Sequence, residues 1–189
     1  MIALAAVVAL GTVAESARAG TERWVDSILP GGNAIRTGLP LDVETIEEHH
    51  VDGLVRRKLA YHTNRRDYKI RAWLLMPVAS SSQRRPAVLC LHQTTPNGKD
   101  SPVGLSDRPS MHYALELAHR GYVTLSPDYP SFGEHEHDFD ADDYVSGSMK
   151  AIYDNIRAID LLQSLPEVDP ERIERLTDPA LRWLGRWMR

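Results

Sequence analysis

From Pro86 to Ile173 the chain alternates solid apolar runs with helical periodicity, and that alternation restricts the folds open to it. Pro86-Ala-Val-Leu-Cys-Leu-His92 and Tyr122-Val-Thr-Leu-Ser-Pro-Asp128 are continuous apolar runs, the pattern of strands covered on both faces. Between them Met111, Ala114, Leu115 and Ala118 recur at helical spacing after Ser110, a residue suited to an N-cap. Gly121 then supplies the left-handed position that closes a helix. A second helix, about Tyr144 to Leu165, carries Met149, Ile152, Ile156 and Ile159 as one core-facing stripe before Pro166-Glu-Val-Asp-Pro-Glu-Arg-Ile173. Strand, helix, strand, helix predicts a doubly wound, mostly parallel sheet with right-handed crossovers. Ligands are then expected at the C-terminal ends of its strands.

The residues before Pro86 read differently. Leu54 to Tyr61 and Tyr68 to Met76 are strand-like, and the polar His62-Thr-Asn-Arg-Arg-Asp67 between them predicts an antiparallel hairpin. Ser80 to Arg85 reads as a surface connection. Pro30-Gly-Gly-Asn33 and Gly38-Leu-Pro40 mark loops, so residues 20–50 are expected to form an irregular arm. Residues 1–19 pair an apolar run, Met1 to Leu10, with an A-x-A signal at Ala17-Arg-Ala19. That is the pattern of an export signal with a mature N-terminus at Gly20. The run is too short for a membrane span, which needs about 20 apolar residues. The expected organisation is a signal at 1–19, an arm at 20–50, a partial domain at 51–173 and an atypical tail at 174–189.

Charge narrows the function classes. Lys and Arg number 22 against 26 for Asp and Glu, a net charge of −4, which argues against a generic nucleic-acid binder. The single cysteine, Cys90, excludes an internal disulfide, and inside an apolar run it reads as a small buried hydrophobe. His135-Glu-His-Asp-Phe-Asp-Ala-Asp-Asp143 is the densest run of candidate metal ligands. It matches no recognised ligand spacing and is expected to be a solvated loop, so no metal or cofactor is assigned.

Two loops fall at the predicted C-terminal strand ends, His92-Gln-Thr-Thr-Pro-Asn-Gly98 and Pro127-Asp-Tyr-Pro-Ser-Phe-Gly-Glu134. In this setting they resemble the dienelactone hydrolase and acetyl xylan esterase branch of the α/β-hydrolases, over about Leu54 to Ile173, the N-terminal half of that domain. The resemblance implies a carboxylic-ester hydrolase in which a serine forms an acyl-enzyme from a small-molecule or carbohydrate ester. It also implies that the first loop gives a backbone N–H to the oxyanion hole, with Thr94 the first candidate and Gln93 the next. His92, Asp128 and Tyr129 would form the pocket wall.

That chemistry needs a serine on a strand-to-helix elbow, then an acid, then a histidine. Gly104-Leu-Ser106-Asp-Arg108 and Pro130-Ser131-Phe-Gly133 each match half of G-x-S-x-G, and no histidine follows His137. No catalytic residue is therefore assigned, and the chain as written is expected not to hydrolyse esters. The Trp- and Arg-rich end from Asp178 to Arg189 is expected to reflect a reading frame left near Arg172 or Ile173, with a short paralogue or a functional tail as alternatives. The other functional reading is a non-catalytic secreted binding protein. A chain losing its strand near Ile173 would also expose the edge of the strand beside it, which predicts self-association.

Overall fold

Residues 44–50, expected to be irregular, belong to a strand that is mostly exposed and has no apolar alternation. In the computed structural model, which describes residues 39–78, 83–139, 144 and 146–177, this strand, β1 (Glu44–Val51), opens the sheet. It is followed by β2 (Leu54–His62), β3 (Lys69–Pro77), β4 (Arg85–Leu91), α1 (Tyr113–His119), β5 (Val123–Pro127), α2 (Gly147–Ser164) and β6 (Val168–Thr177). The signal-like residues 1–19, the arm through residue 38 and the tail from residue 178 lie outside the described residues. No described helix is long and apolar enough to cross a membrane.

The six strands lie in the order β1-β2-β3-β5-β4-β6. The predicted hairpin is β2–β3, antiparallel from Leu54 opposite Pro77 to His62 opposite Lys69. β1 adds antiparallel to β2 through a tight turn, where Asp52 and Gly53 both take positive φ. Here the residues from Glu44 read as loop because Glu47, Glu48, His49 and His50 give no apolar alternation; they sit largely exposed at the sheet's rim. β3 pairs antiparallel with β5, and only β5–β4 and β4–β6 are parallel. The sheet is thus mixed, with parallel pairing confined to one side.

β6 overturns the expected open edge on β4. Arg85 to Leu91 pairs on one side with β5 and on the other with Val168 to Thr177, so the strand runs four residues past Ile173. Among the described residues the outer ladders belong to β1 and β6.

Alternation along the central strands fills two cores. Ile70, Ala72, Leu74 and Met76 of β3 and Ala87, Leu89 and Leu91 of β4 join Ala158, Leu161 and Leu162 of α2. The intervening Trp73, Leu75, Val88 and Cys90 join Tyr113, Ala114, Leu117 and Ala118 of α1. One helix therefore covers each face, as the solid apolar runs require. Cys90 is fully buried, and burial pushes its thiol far up, out of reach of thiolate chemistry.

Both helices begin later than the sequence suggests. Ser110 lies in a 3-10 turn, Pro109–Met111, and His112 occupies the α1 N-cap position without a side-chain cap bond. Gly121 closes α1 at φ +97°, as expected. α2 is capped by Ser146, whose Oγ accepts from the Met149 N–H. Its buried face is turned away from the predicted stripe: Met149, Ile152, Ile156 and Ile159 are only half-buried. The buried residues are Lys150, Tyr153, Asp154, Asn155, Arg157, Ala158, Leu161 and Leu162. Polar residues can line that face because they pair there: Lys150 forms an ion pair with Asp154, its Nζ lies 3.4 Å from Thr63 Oγ1, and Tyr153 Oη donates to the Thr63 carbonyl.

Candidate active site

The site is built where β4 and β5, adjacent and parallel, release their chains. β4 ends at Leu91, whose carbonyl accepts from Tyr113 Oη of α1, so the helix hydroxyl satisfies the last buried acceptor of the strand. His92 follows, buried at 4% exposure. Its Nε2 accepts the Tyr129 backbone N–H at 3.0 Å, and its Nδ1 lies 2.6 Å from the Gln93 carbonyl. A backbone N–H can only donate, so Nε2 carries no proton and Nδ1–H donates to Gln93. Burial holds the His92 pKa below the usual histidine range, which keeps that neutral tautomer. The ring also lies against Tyr129 at 4.7 Å and Phe132 at 5.8 Å between centroids. His92 thus stitches the β4 loop to the β5 loop.

Asp128 is the second tie. Its carboxylate is buried at 1% exposure and accepts the Lys99 N–H at 2.8 Å, Lys99 Nζ at 2.7 Å and the Glu134 N–H at 2.9 Å. Lys99 Nζ also reaches Glu134 Oε2 at 2.6 Å, and Glu134 in turn meets Lys58 at 3.0 Å. Burial alone would lower the Lys99 pKa, but its bonds to Asp128 and Glu134 outweigh it and raise the pKa. Burial likewise opposes ionisation of Glu134, yet Lys99 and Lys58 bring its pKa down to about 2. Two glycines let the loops close on this carboxylate: a Cβ at Gly98 (φ +49°) or Gly133 (φ +58°) would lie 2.2 and 2.1 Å from Asp128 Oδ1. Trp73 Nε1 fixes the neighbouring Asp100 at 2.7 Å.

Between these two ties the N–H groups of Gln93, Thr94 and Asn97 meet no acceptor among the described residues. Thr95 N–H closes on the Gln93 carbonyl at 2.8 Å and Gly98 N–H on Thr95 O at 3.1 Å. Thr94 is exposed, and among the described residues its N–H meets no acceptor. The Gln93 side chain turns away, its Nε2 on Met111 Sδ at 2.8 Å. The structure thus gathers His92, Gln93, Thr94, Asp128 and Tyr129 at one end of the sheet, with Asp128 inside the loop framework and no face to solvent.

Sequence reasoning missed Lys99 and Tyr113. In a polar loop Lys99 looks solvated, and only its position after Gly98 hinted at a buried contact. The serines considered as half-matches stand in other arrangements. Ser106 Oγ lies 3.2 Å from His112 Nε2, but that nitrogen is also 3.0 Å from the Ser106 carbonyl, an acceptor that takes the ring proton. Ser131 holds a positive φ of 67° in the turn after β5, with its N–H on the His135 carbonyl at 2.8 Å. His135 is buried and stacks on Tyr68 at 5.4 Å. Among the described residues no group of three His, Cys, Asp or Glu is placed to hold a metal; residues 140–143 of that acidic run lie outside them.

No protein-family model and no curated protein matches the chain. Solved structures do. A Bacteroides fragilis protein provisionally assigned as an acetyl xylan esterase superposes with a TM-score of 0.65 at 16% identity, over 86% of this chain and 46% of that one. The acetyl xylan esterase of Paenibacillus sp. R4 gives 0.55 at 17%, over 82% and 50%. Acetyl xylan esterase 1 of Thermoanaerobacterium sp. gives 0.57 at 15%, over 77% and 48%. The chain has an α/β-hydrolase fold. It spans about half the length of these esterases, and within that span the α/β-hydrolase sheet places the His92–Gly98 loop at the end of a central parallel strand.

Proposed function

We propose that this chain supplies the oxyanion side of a carboxylic-ester hydrolase acting on a small-molecule or carbohydrate ester. The observation that carries the reading is Thr94, an exposed residue whose N–H meets no acceptor among the described residues, at the C-terminal end of β4 on a loop tied down at both ends. Oxyanion stabilisation needs a preorganised donor that is not already engaged. In the proposed reaction a serine attacks the ester carbonyl, and the carbonyl oxygen gains negative charge as the tetrahedral intermediate forms. Histidine takes the serine proton and returns it to the leaving alcohol. Thr94 N–H is one donor to that oxygen, with the Gln93 N–H the next candidate, while His92 and Tyr129 line the approach. The serine, acid and base are not assigned within these 189 residues: the sequence holds no G-x-S-x-G, Ser106 and Ser131 match it only in half, and His112 faces a carbonyl.

The test uses an activated acetyl ester on the 189-residue chain and on the longest product of its gene. The chain alone is expected to give no turnover. The longest product is expected to turn over, with kcat falling about 10²- to 10³-fold in Thr94→Pro, which removes the N–H, at little change in KM. Turnover by the chain that Ser106→Ala or Ser131→Ala abolishes would relocate the nucleophile. An inactive longest product would sink the reading.

A further inference from the structure

Resting on the reading of Thr94 as an oxyanion donor, we infer that His92 is the positioning residue that aims the Thr94 N–H. The argument is one of peptide geometry. No peptide bond of the described chain is cis, so the carbonyl of Gln93 and the N–H of Thr94 lie in one plane and point in opposite directions. Whatever fixes the Gln93 oxygen therefore fixes the direction of the Thr94 N–H. Two donors fix it: His92 Nδ1–H at 2.6 Å and Thr95 N–H at 2.8 Å. The Thr95 bond closes a three-residue turn within the loop and moves with it. The His92 bond does not, because the ring is held from outside the loop by the Tyr129 N–H on Nε2 at 3.0 Å and by the Tyr129 and Phe132 rings. Gln93 O is thus turned inward onto a ring anchored to the β5 loop, and the Thr94 N–H is turned outward. Asp128 sets the far end of the loop through Lys99 but touches neither atom of this peptide.

His92 would not touch the reacting atoms. Its effect passes through one peptide plane, and the two ring nitrogens have separable parts. Asn at this position places an amide N–H where Nδ1–H stands and keeps the donor to Gln93. Gln places an amide oxygen where Nε2 stands and keeps the acceptor for Tyr129 but loses the donor.

The experiment measures residual dipolar couplings of the Thr94 N–H, which report its direction, in the 189-residue chain and in His92→Asn and His92→Gln. Couplings of β3 and β4 amides serve as the reference that each variant is folded. The Thr94 coupling is expected to stay within the spread of those references in His92→Asn and to leave it in His92→Gln. Nitrogen shifts of the wild-type ring are expected to show a protonated Nδ1 and a bare Nε2, a measurement that stands even where a variant fails to fold. Equal couplings in the two variants, or the opposite tautomer in the wild type, would overturn the assignment. The vector is read without turnover. A gene product that hydrolyses no ester while His92→Gln still swings the Thr94 N–H would remove the ester-hydrolase reading and leave the positioning role of His92 in place.

Discussion

His135 shows how one buried side chain ties this fold to pH. Burial first, and the Lys150 charge second, depress its pKa to about 3, against about 6.5 in an unfolded chain. Between those values the unfolded chain binds a proton that the native state refuses. Stability is therefore fully present above about pH 6.5 and is lost as pH falls toward 3, at up to about 1.4 kcal/mol per pH unit. His92, also depressed by burial, acts in the same sense. Asp154, whose pKa burial raises against the pull of Lys150, acts in the opposite sense, so the comparison must isolate His135. Urea midpoints of the wild-type chain are expected to fall from pH 6.5 to 4.5, and those of His135→Gln to fall much less. Equal slopes in the two proteins would place His135 in solvent.

At the scale of elements, the ion pair under α2 decides how the helix seats. Lys150 and Asp154 are each 2% exposed, one turn apart, and they face the β2 end through Thr63. Removing one partner leaves a buried charge uncompensated, which costs about 3–5 kcal/mol, whereas replacing both by apolar side chains of similar volume is often neutral. Lys150→Met and Asp154→Leu are each expected to lose about that much by urea unfolding, and the double variant to recover most of it. A double variant that loses the sum of both would show that the two charges act separately. The same pair explains what the sequence hid. Hydropathy placed α2 by its isoleucines, and the helix buries the charged face beside them because Lys150 and Asp154 pair with each other and Lys150 also reaches Thr63, just past the end of β2. By contrast β4, β5 and the β2–β3 hairpin were legible, since solid apolar runs and a polar turn leave little choice. β1 was not, because an edge strand needs no apolar alternation to hydrogen-bond its neighbour. The site divides in the same way. The positions of His92, Thr94 and Asp128 follow from strand ends, while the Lys99 clamp depends on Gly98 and Gly133 letting two distant loops meet on one carboxylate.

For the whole molecule the governing fact is that β3 and β4 each send alternate side chains into both cores. Neither face can then melt alone, and a single cooperative transition is expected. Opening should be graded outward from the centre of the sheet. β3, β5 and β4 are hydrogen-bonded on both sides, so their amides exchange only with global unfolding; β1 and β6, each with one paired ladder among the described residues, open locally. β6 also bears on association. Its early half carries exposed Glu171 and Arg172 and an edge-tolerant Pro170, features that discourage strand addition. Association through the β6 edge is therefore expected to be weak and concentration-dependent. Sedimentation velocity from low to high micromolar concentration is expected to show a reversible shift above the monomer. Hydrogen exchange in the associated sample should then slow at β6 and not at β1. A monomer at every concentration, or added protection confined to β1, would place the associating surface elsewhere or remove it, because only strand addition at β6 satisfies that ladder while leaving β1 as it was.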